Sequence, residues 1–368
     1  MKKIKSLIII ALMASLVACG GQNGAANNGA NSAQQPQQVI KWKMVTTWPK
    51  NYPGLGTGAN YMAKAITEMS GGRLEVKVYG ANELVGALEV FDAVSRGTAE
   101  IGHGAAYYWK GKSVAAQFFT AVPFGMNAQE MAGWLYYGGG MELWEEVYAP
   151  FGLIPLAAGN TGTQMGGWFN KEINSLKDLQ GLKMRIPGLG GEVFSRAGGV
   201  SVLVPGGEIF PSMQTGALDA TEWVGPYNDL AFGLHKVAKY YYYPGWQEPG
   251  PILEAMVNKN AFDALPADLQ AIVREAAKAT HMDMLANYTA ENNRALKTLV
   301  EEHGVQVRKF PDEVLRKLRE ISSQVLAEEA AKDPLTQKVY DSFKAFNQQV
   351  VNWHRISEQA YFEAREEH

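Results

Sequence analysis

The chain of 368 residues contains one cysteine, Cys19. No internal disulfide can form, and a cysteine nucleophile or thiolate-built metal site is excluded from everything that follows it. Excess positive charge is also lacking: 34 Lys and Arg against 37 Asp and Glu leave a net charge of -3. Without a basic stripe to neutralise phosphates, the chain is not built for nucleic acid. Beyond Val17 no apolar run is long enough to cross a bilayer. The six histidines, His103, His235, His281, His303, His354 and His368, show neither H-x-x-x-H nor H-E-x-x-H spacing. There is no G-x-S-x-G elbow and no P-loop. Gly188-Leu189-Gly190-Gly191 is a lone glycine cluster, without the acidic residue on a following strand tip that a dinucleotide loop needs. A nucleophile with a base, or a paired acid and base, cannot be assembled, so the chain does not read as an enzyme.

What is present begins at the N-terminus. Met1-Lys2-Lys3-Ile4-Lys5 and the apolar run from Leu7 to Val17 have the basic and hydrophobic regions of a secretory signal, which predicts export. Leu16-Val17-Ala18-Cys19 resembles the bacterial lipobox, and that resemblance implies a diacylated Cys19, hence a periplasmic or extracytoplasmic protein held to a membrane by its lipid alone. Residues 20–38 contain only Gly, Gln, Asn, Ala, Ser and Pro, which cannot bury enough apolar surface to fold and serve as a flexible tether. The body from Val39 onward is long enough for two lobes, each with its own core.

Periodicity predicts strands at 39–48, 74–79 and up to Gly104, with helices at 58–69 and 89–96 between them. The same alternation returns as strands at 182–186 and 200–204 with helices at 192–197 and 209–215. This order implies α/β lobes with mostly parallel sheets. Helical spacing resumes from Phe262 to His303 and from Pro311 to Lys332, with a short strand at 304–310 between them. A long amphipathic helix over 334–366 carries Val339, Phe343, Phe346, Val350, Trp353 and Phe362. It is expected to pack along both lobes, with a homodimer through its aromatics as the alternative. The expected lobes are 39–158 with about 250–290, and 159–249 with about 291–332.

Glu89-Val90-Phe91 with Val94, Gly97 and Glu100 matches Glu208-Ile209-Phe210 with Met213, Gly216 and Asp219 at the same spacing. If this is an internal repeat, the stretches 104–109 and 222–228 occupy equivalent strand ends, and open α/β sheets bind ligands at the carboxyl ends of their strands. The site is then expected in the cleft between lobes.

Binding residues are easier to find than catalytic ones. Arg185 stands in an apolar strand just before Pro187-Gly188. A guanidinium there is costly to bury unpaired, and its planar fork matches a carboxylate; an internal salt bridge is the competing explanation. Glu222, in Thr221-Glu222-Trp223-Val224-Gly225-Pro226, and Glu248, in Gly245-Trp246-Gln247-Glu248-Pro249-Gly250, are two further acids among glycines and aromatics. Trp168, Trp223 and Trp246 serve either as core or as an aromatic wall, and flanking glycines favour the wall for the last two.

Those segments, together with Gly159-Asn160-Thr161-Gly162 and Gln164-Met165-Gly166-Gly167-Trp168, resemble the solute-binding subunits of TRAP transporters, the DctP superfamily. The resemblance runs from about Val39 to the end and is strongest to the branch that binds 2-oxo acids and lactate. It implies a two-lobed periplasmic binding protein with a ligand cleft between lobes. It implies that Arg185 grips a ligand carboxylate and that a cation, Ca2+ or Na+, bridges ligand and protein through Gln164, Glu222, the Trp223 carbonyl and Glu248. Asn160, Tyr107, Tyr108 and Trp223 would touch the ligand. Charge supports a cation independently: two glutamates and a ligand carboxylate (-3) against one arginine (+1) leave -2 in a closed cleft. Oxygen donors suit a hard ion. The expected ligand is a small 2-oxo or 2-hydroxy monocarboxylate, and the expected partners are the transporter's membrane subunits. A tethered sensor that signals to a receptor is the alternative.

Overall fold

The computed structural model describes residues 38–365. The expected signal segment, Cys19 and all but the last residue of the expected tether lie outside the described residues.

Strands β1 (Ile40–Thr46), β2 (Leu74–Tyr79), β3 (Ile101–Gly104) and β4 (Leu153–Asn160) come first in the chain. They are followed by β5 (Gly167–Phe169), β6 (Lys183–Arg185), β7 (Val200–Val202), β8 (Ala220–Thr221) and β9 (Tyr240–Tyr243), and then by β10 (Ile252–Asn258) and β11 (Gln306–Lys309). They form two sheets, ordered β2-β1-β3-β10-β4 and β11-β9-β5-β8-β6-β7. In the first, β1 is parallel to β2 and β3, while β10 is antiparallel to β3 and β4. In the second, β6 is parallel to β7 and β8, while β5 is antiparallel to β8 and β9. The expected mostly parallel sheets are thus mixed, because β10 runs antiparallel between β3 and β4 and β5 antiparallel between β8 and β9. Strand β10 lies between β3 and β4 and is buried along its whole length, Glu254 included.

The two sheets share one plan. Reading the second from its β7 edge, β7-β6-β8-β5 repeats the order and directions of β2-β1-β3-β10. The helix Val90–Ser95 leads to β3 and the helix Gly206–Gln214 to β8, so the matched helix-Gly-strand units occupy equivalent places.

The glycine cluster at 188–191 opens the helix Gly188–Arg196, which starts earlier than its spacing predicts. Helix Ala267–Glu301 runs unbroken for 35 residues, across the boundary expected near 290. Its Leu269, Val273 and Ala276 join the core behind the first sheet, and its Met284, Tyr288 and Leu299 join a second core that includes Trp168, Trp223 and Tyr241. The C-terminal helix differs from expectation. It spans Pro334–Ile356, breaks at Ser357 (φ -114°, ψ -93°) and resumes as Glu358–Arg365. Its Phe343 packs edge-on against Phe118 and Trp134 on the first sheet's side. Among the described residues no helix is long and apolar enough to cross a membrane.

Candidate functional site

Arg185 is the last residue of β6 and is fully buried. Its Nη1 donates to the Glu222 carboxylate and to the Glu222 carbonyl at 3.3 Å, and its Nη2 donates to Tyr108 Oη at 3.1 Å. The guanidinium lies 5.0 Å from the Trp223 ring centroid. Among the described residues its Nε has no partner. Arg185 and Glu222 meet because β6 and β8 are parallel neighbours with Arg185 beside Thr221, which places both at carboxyl ends of strands. The salt bridge weighed from the sequence is therefore present, yet it satisfies only part of either group.

Glu248 comes to the same place from the loop after β9. The Gln164 backbone N–H donates to the Glu248 backbone carbonyl at 3.1 Å, and the two loops touch because position 245 is glycine. A Cβ on Gly245 would lie 2.0 Å from the Gln164 carbonyl oxygen. Gly188, with φ +58°, makes the turn after Arg185, where an added Cβ would lie 3.0 Å from the Tyr107 Cβ.

Among the described residues, four carboxylate and amide oxygens here are buried without a hydrogen-bond partner: Gln164 Oε1, Glu222 Oε2, Gln247 Oε1 and Glu248 Oε2. Orphaned buried acceptors are costly and call for a missing partner. Three of the four belong to the residues expected to hold a cation, and amide and carboxylate oxygens are the donors a hard cation takes. Two carboxylates meet one guanidinium, so the protein alone is one charge short of neutral. Among the described residues no cluster of three His, Cys, Asp or Glu exists, so any ion here depends on amide, carbonyl or ligand oxygens as well.

Electrostatics agree. Burial pushes the Glu222 carboxyl up to about 7 against the pull of Arg185. Burial and the nearby charge of Glu222 push Glu248 well above the usual carboxylate range. Burial works against the charge of Arg185, but Tyr108, Glu222, Tyr107 and Glu248 outweigh it and hold it firmly cationic. A site whose acids are raised in this way lacks positive charge.

The other expected residues divide. Tyr107 and Tyr108 follow β3 on the short helix Ala106–Trp109 and reach the Arg185 group from the first sheet. Trp223 is buried, and the Trp48 ring meets it edge-on with centroids 6.3 Å apart. Asn160 ends β4, and its amide engages backbone: Oδ1 accepts from Gly162 at 2.7 Å and Nδ2 donates to the Gly250 carbonyl at 3.5 Å. It shapes the loop leading to Gln164 and makes no hydrogen bond to the arginine group among the described residues. Trp246 packs on Phe124, with ring centroids 5.8 Å apart, in a core shared with the first sheet.

Residues not singled out from the sequence also belong here. Gln247 is buried, donates to the Met165 carbonyl at 2.9 Å and contacts Glu222. Thr47 and Trp48 stand at the carboxyl end of β1, and among the described residues the buried Thr47 Oγ1 has no partner. The strand-end rule that located 104–109 would have located them too. The cleft is closed: Tyr52 Oη donates to the Asn228 carbonyl at 2.5 Å, and Asn228 Nδ2 donates to the Pro53 carbonyl at 2.7 Å.

A family model described as DctP, bacterial extracellular solute-binding protein, family 7, matches residues 44–333. A monocarboxylate 2-oxoacid-binding periplasmic protein of Nostoc sp. is 46% identical over 349 residues, covering 94% of this chain and 93% of the relative. A TRAP periplasmic solute-binding protein from Pseudoalteromonas atlantica, with bound sodium and pyruvate, superposes with a TM-score of 0.86 at 47% identity, over 89% of this chain and 99% of its own. Its counterpart from Colwellia psychrerythraea, with bound calcium and pyruvate, gives a TM-score of 0.86 at 44% identity, over 89% and 100%. These relatives are binding proteins of transport systems, and they share the two-lobed architecture.

Proposed function

This chain belongs to the bacterial extracellular solute-binding proteins of family 7, and from that premise we propose that it captures a small 2-oxo or 2-hydroxy monocarboxylate for a TRAP transporter without acting as an enzyme. The observation that carries this reading is the set of orphaned buried oxygens on Gln164, Glu222 and Glu248 around the half-paired guanidinium of Arg185. A Ca2+ or Na+ ion held by those oxygens and the Trp223 carbonyl would neutralise the acids and offer its remaining coordination to a ligand carboxylate. Arg185 then orients that carboxylate, with Tyr107, Tyr108, Asn160 and Trp223 shaping the pocket and excluding water. Relatives at 47% and 44% identity hold pyruvate with sodium and with calcium, which supports the ligand class and both ions.

In this reading the lobes are 39–158 with about 250–290 and 159–249 with about 291–332, linked by the continuous helix Ala267–Glu301. Ligand bridging the lobes favours the closed state, and that state docks on the membrane subunits. Cys19 is the lipid anchor, 20–38 the tether, and the exposed Trp353, Ile356, Tyr361 and Phe362 of the broken C-terminal helix the face of a homodimer.

Isothermal titration with pyruvate, lactate and a branched 2-oxo acid, each with and without calcium, tests the assignment. One of the acids should bind in a cation-dependent way, and Arg185→Ala should abolish it. Absence of binding by all three, or binding indifferent to Arg185, contradicts it.

A further inference from the structure

Two fully buried carboxylates carry no ligand or ion in this account: Glu254 at the centre of β10 and Asp229 in the helix Pro226–Phe232. Each meets the same pair of donors. Glu254 Oε1 accepts from the Trp109 indole at 2.5 Å and Oε2 from Tyr148 Oη at 2.7 Å. Asp229 Oδ2 accepts from the Trp168 indole at 2.9 Å and from Tyr241 Oη at 2.6 Å. A buried acid is expensive, and well-packed apolar residues would stabilise a core at least as well, so what each acid holds in place becomes the question.

Glu254 holds Trp109, which ends the short helix that presents Tyr107 and Tyr108. The same segment is fixed at its start: the Tyr107 amide donates to Thr120 Oγ1 at 3.2 Å, and the Thr120 carbonyl accepts from Ile252, also on β10, at 3.0 Å. Strand β10 therefore grips this short helix at both ends, and Tyr108 in turn meets Arg185. Asp229 acts on the other wall. Its Oδ1 accepts from the Val224 amide at 3.3 Å, directly after Trp223, while Trp168 and Tyr241 are register partners on β5 and β9 with rings stacked 4.0 Å apart. It thereby fixes the turn 222–225 against the second sheet.

We propose that Glu254 and Asp229 are positioning residues for separate halves of the site: Glu254 sets Tyr107 and Tyr108 against Arg185 and the ligand, and Asp229 sets the Trp223 carbonyl and Glu222 for the cation. The inference rests on the ligand-and-cation reading above. Supporting partners of this kind govern metal affinity by about ten- to a hundredfold.

The test measures two quantities in the full chain: pyruvate affinity at saturating calcium, and the midpoint of calcium binding in the absence of pyruvate, which linkage to the ligand does not enter. Glu254→Leu should weaken pyruvate binding by about tenfold or more and leave the calcium midpoint in place, because a misplaced contact group costs affinity where it acts. Glu254→Gln should recover most of the loss, since its amide oxygen accepts from Trp109 and its nitrogen donates to the Tyr148 oxygen. Asp229→Leu should raise the calcium midpoint about ten- to a hundredfold. Should the leucine variants fail to fold, Tyr148→Phe and Tyr241→Phe, each missing one hydroxyl, should show the same division on a smaller scale. Variants that shift both quantities by the same factor, or neither, or a Glu254→Gln that behaves like Glu254→Leu, overturn the inference while the functional reading stands. A wild type that binds no pyruvate overturns both.

Discussion

At the scale of the residue, misplaced charge is what made the site legible. Arg185 in an apolar strand, and Glu222 and Glu248 among glycines and tryptophans, stand out because a buried charge demands a partner. The structure pairs Arg185 with Glu222 and leaves the other oxygens without one. Gln247 gave no such signal, because an amide in a loop is ordinary. Glu254 was hidden for another reason: Ile252-Leu253-Glu254-Ala255-Met256-Val257 reads as a buried strand only once the acid is known to be satisfied by Trp109 and Tyr148. Burial pushes Glu254 from its ordinary 4.5 up to about 7. The folded state then holds a proton that the unfolded state releases, so the contribution to stability is fully present below pH 4.5 and is lost as pH rises through 7. At 1.4 kcal/mol per pH unit that loss is about 3 kcal/mol by pH 8. Denaturant titrations at pH 5 and pH 8 should show Glu254→Gln losing less stability over this range than wild type. Equal losses in both would contradict a raised Glu254.

At the scale of the element, periodicity located β1, β2, the helix Leu55–Met69 and the late helices, where one apolar face repeats over several turns. It missed β9, whose four tyrosines alternate nothing, and β10, which is buried on both faces. It also missed the break at Ser357, since the apolar pattern continues from Trp353 to Phe362 across it. Loops set the site more tightly than strands do, and Gly245 is the clearest case. Its Cβ would overlap a backbone carbonyl oxygen at 2.0 Å, which no rotamer change can relieve. Gly245→Ala should push Gln164 away from Glu248 and weaken cation-dependent binding by about tenfold or more, while circular dichroism stays near wild type. Binding unchanged in that variant would show that the contact between the loops is dispensable.

At the scale of the molecule, the repeat glimpsed in two helix-Gly-strand units is the organising feature. Each sheet carries the same four-strand arrangement, and each delivers its strand ends to the cleft. The sequence betrayed only the unit with local spacing; the antiparallel pairings of β10 with β3 and β4, and of β5 with β8 and β9, join segments far apart in the chain, and no local pattern announces such pairing. The unbroken helix Ala267–Glu301 joins both cores, so closure in this account is a motion of sheets about a shared strut. In this account each half of the cleft supplies what the other lacks, tyrosines from one and arginine and acids from the other, so that neither would complete a carboxylate site alone. The central claim is that the ligand binds only with a cation beside it. Protein stripped of calcium and dialysed into a buffer free of sodium should give no heat with pyruvate, and adding back calcium or sodium should restore saturable binding. Equally tight binding in the stripped protein would contradict the account.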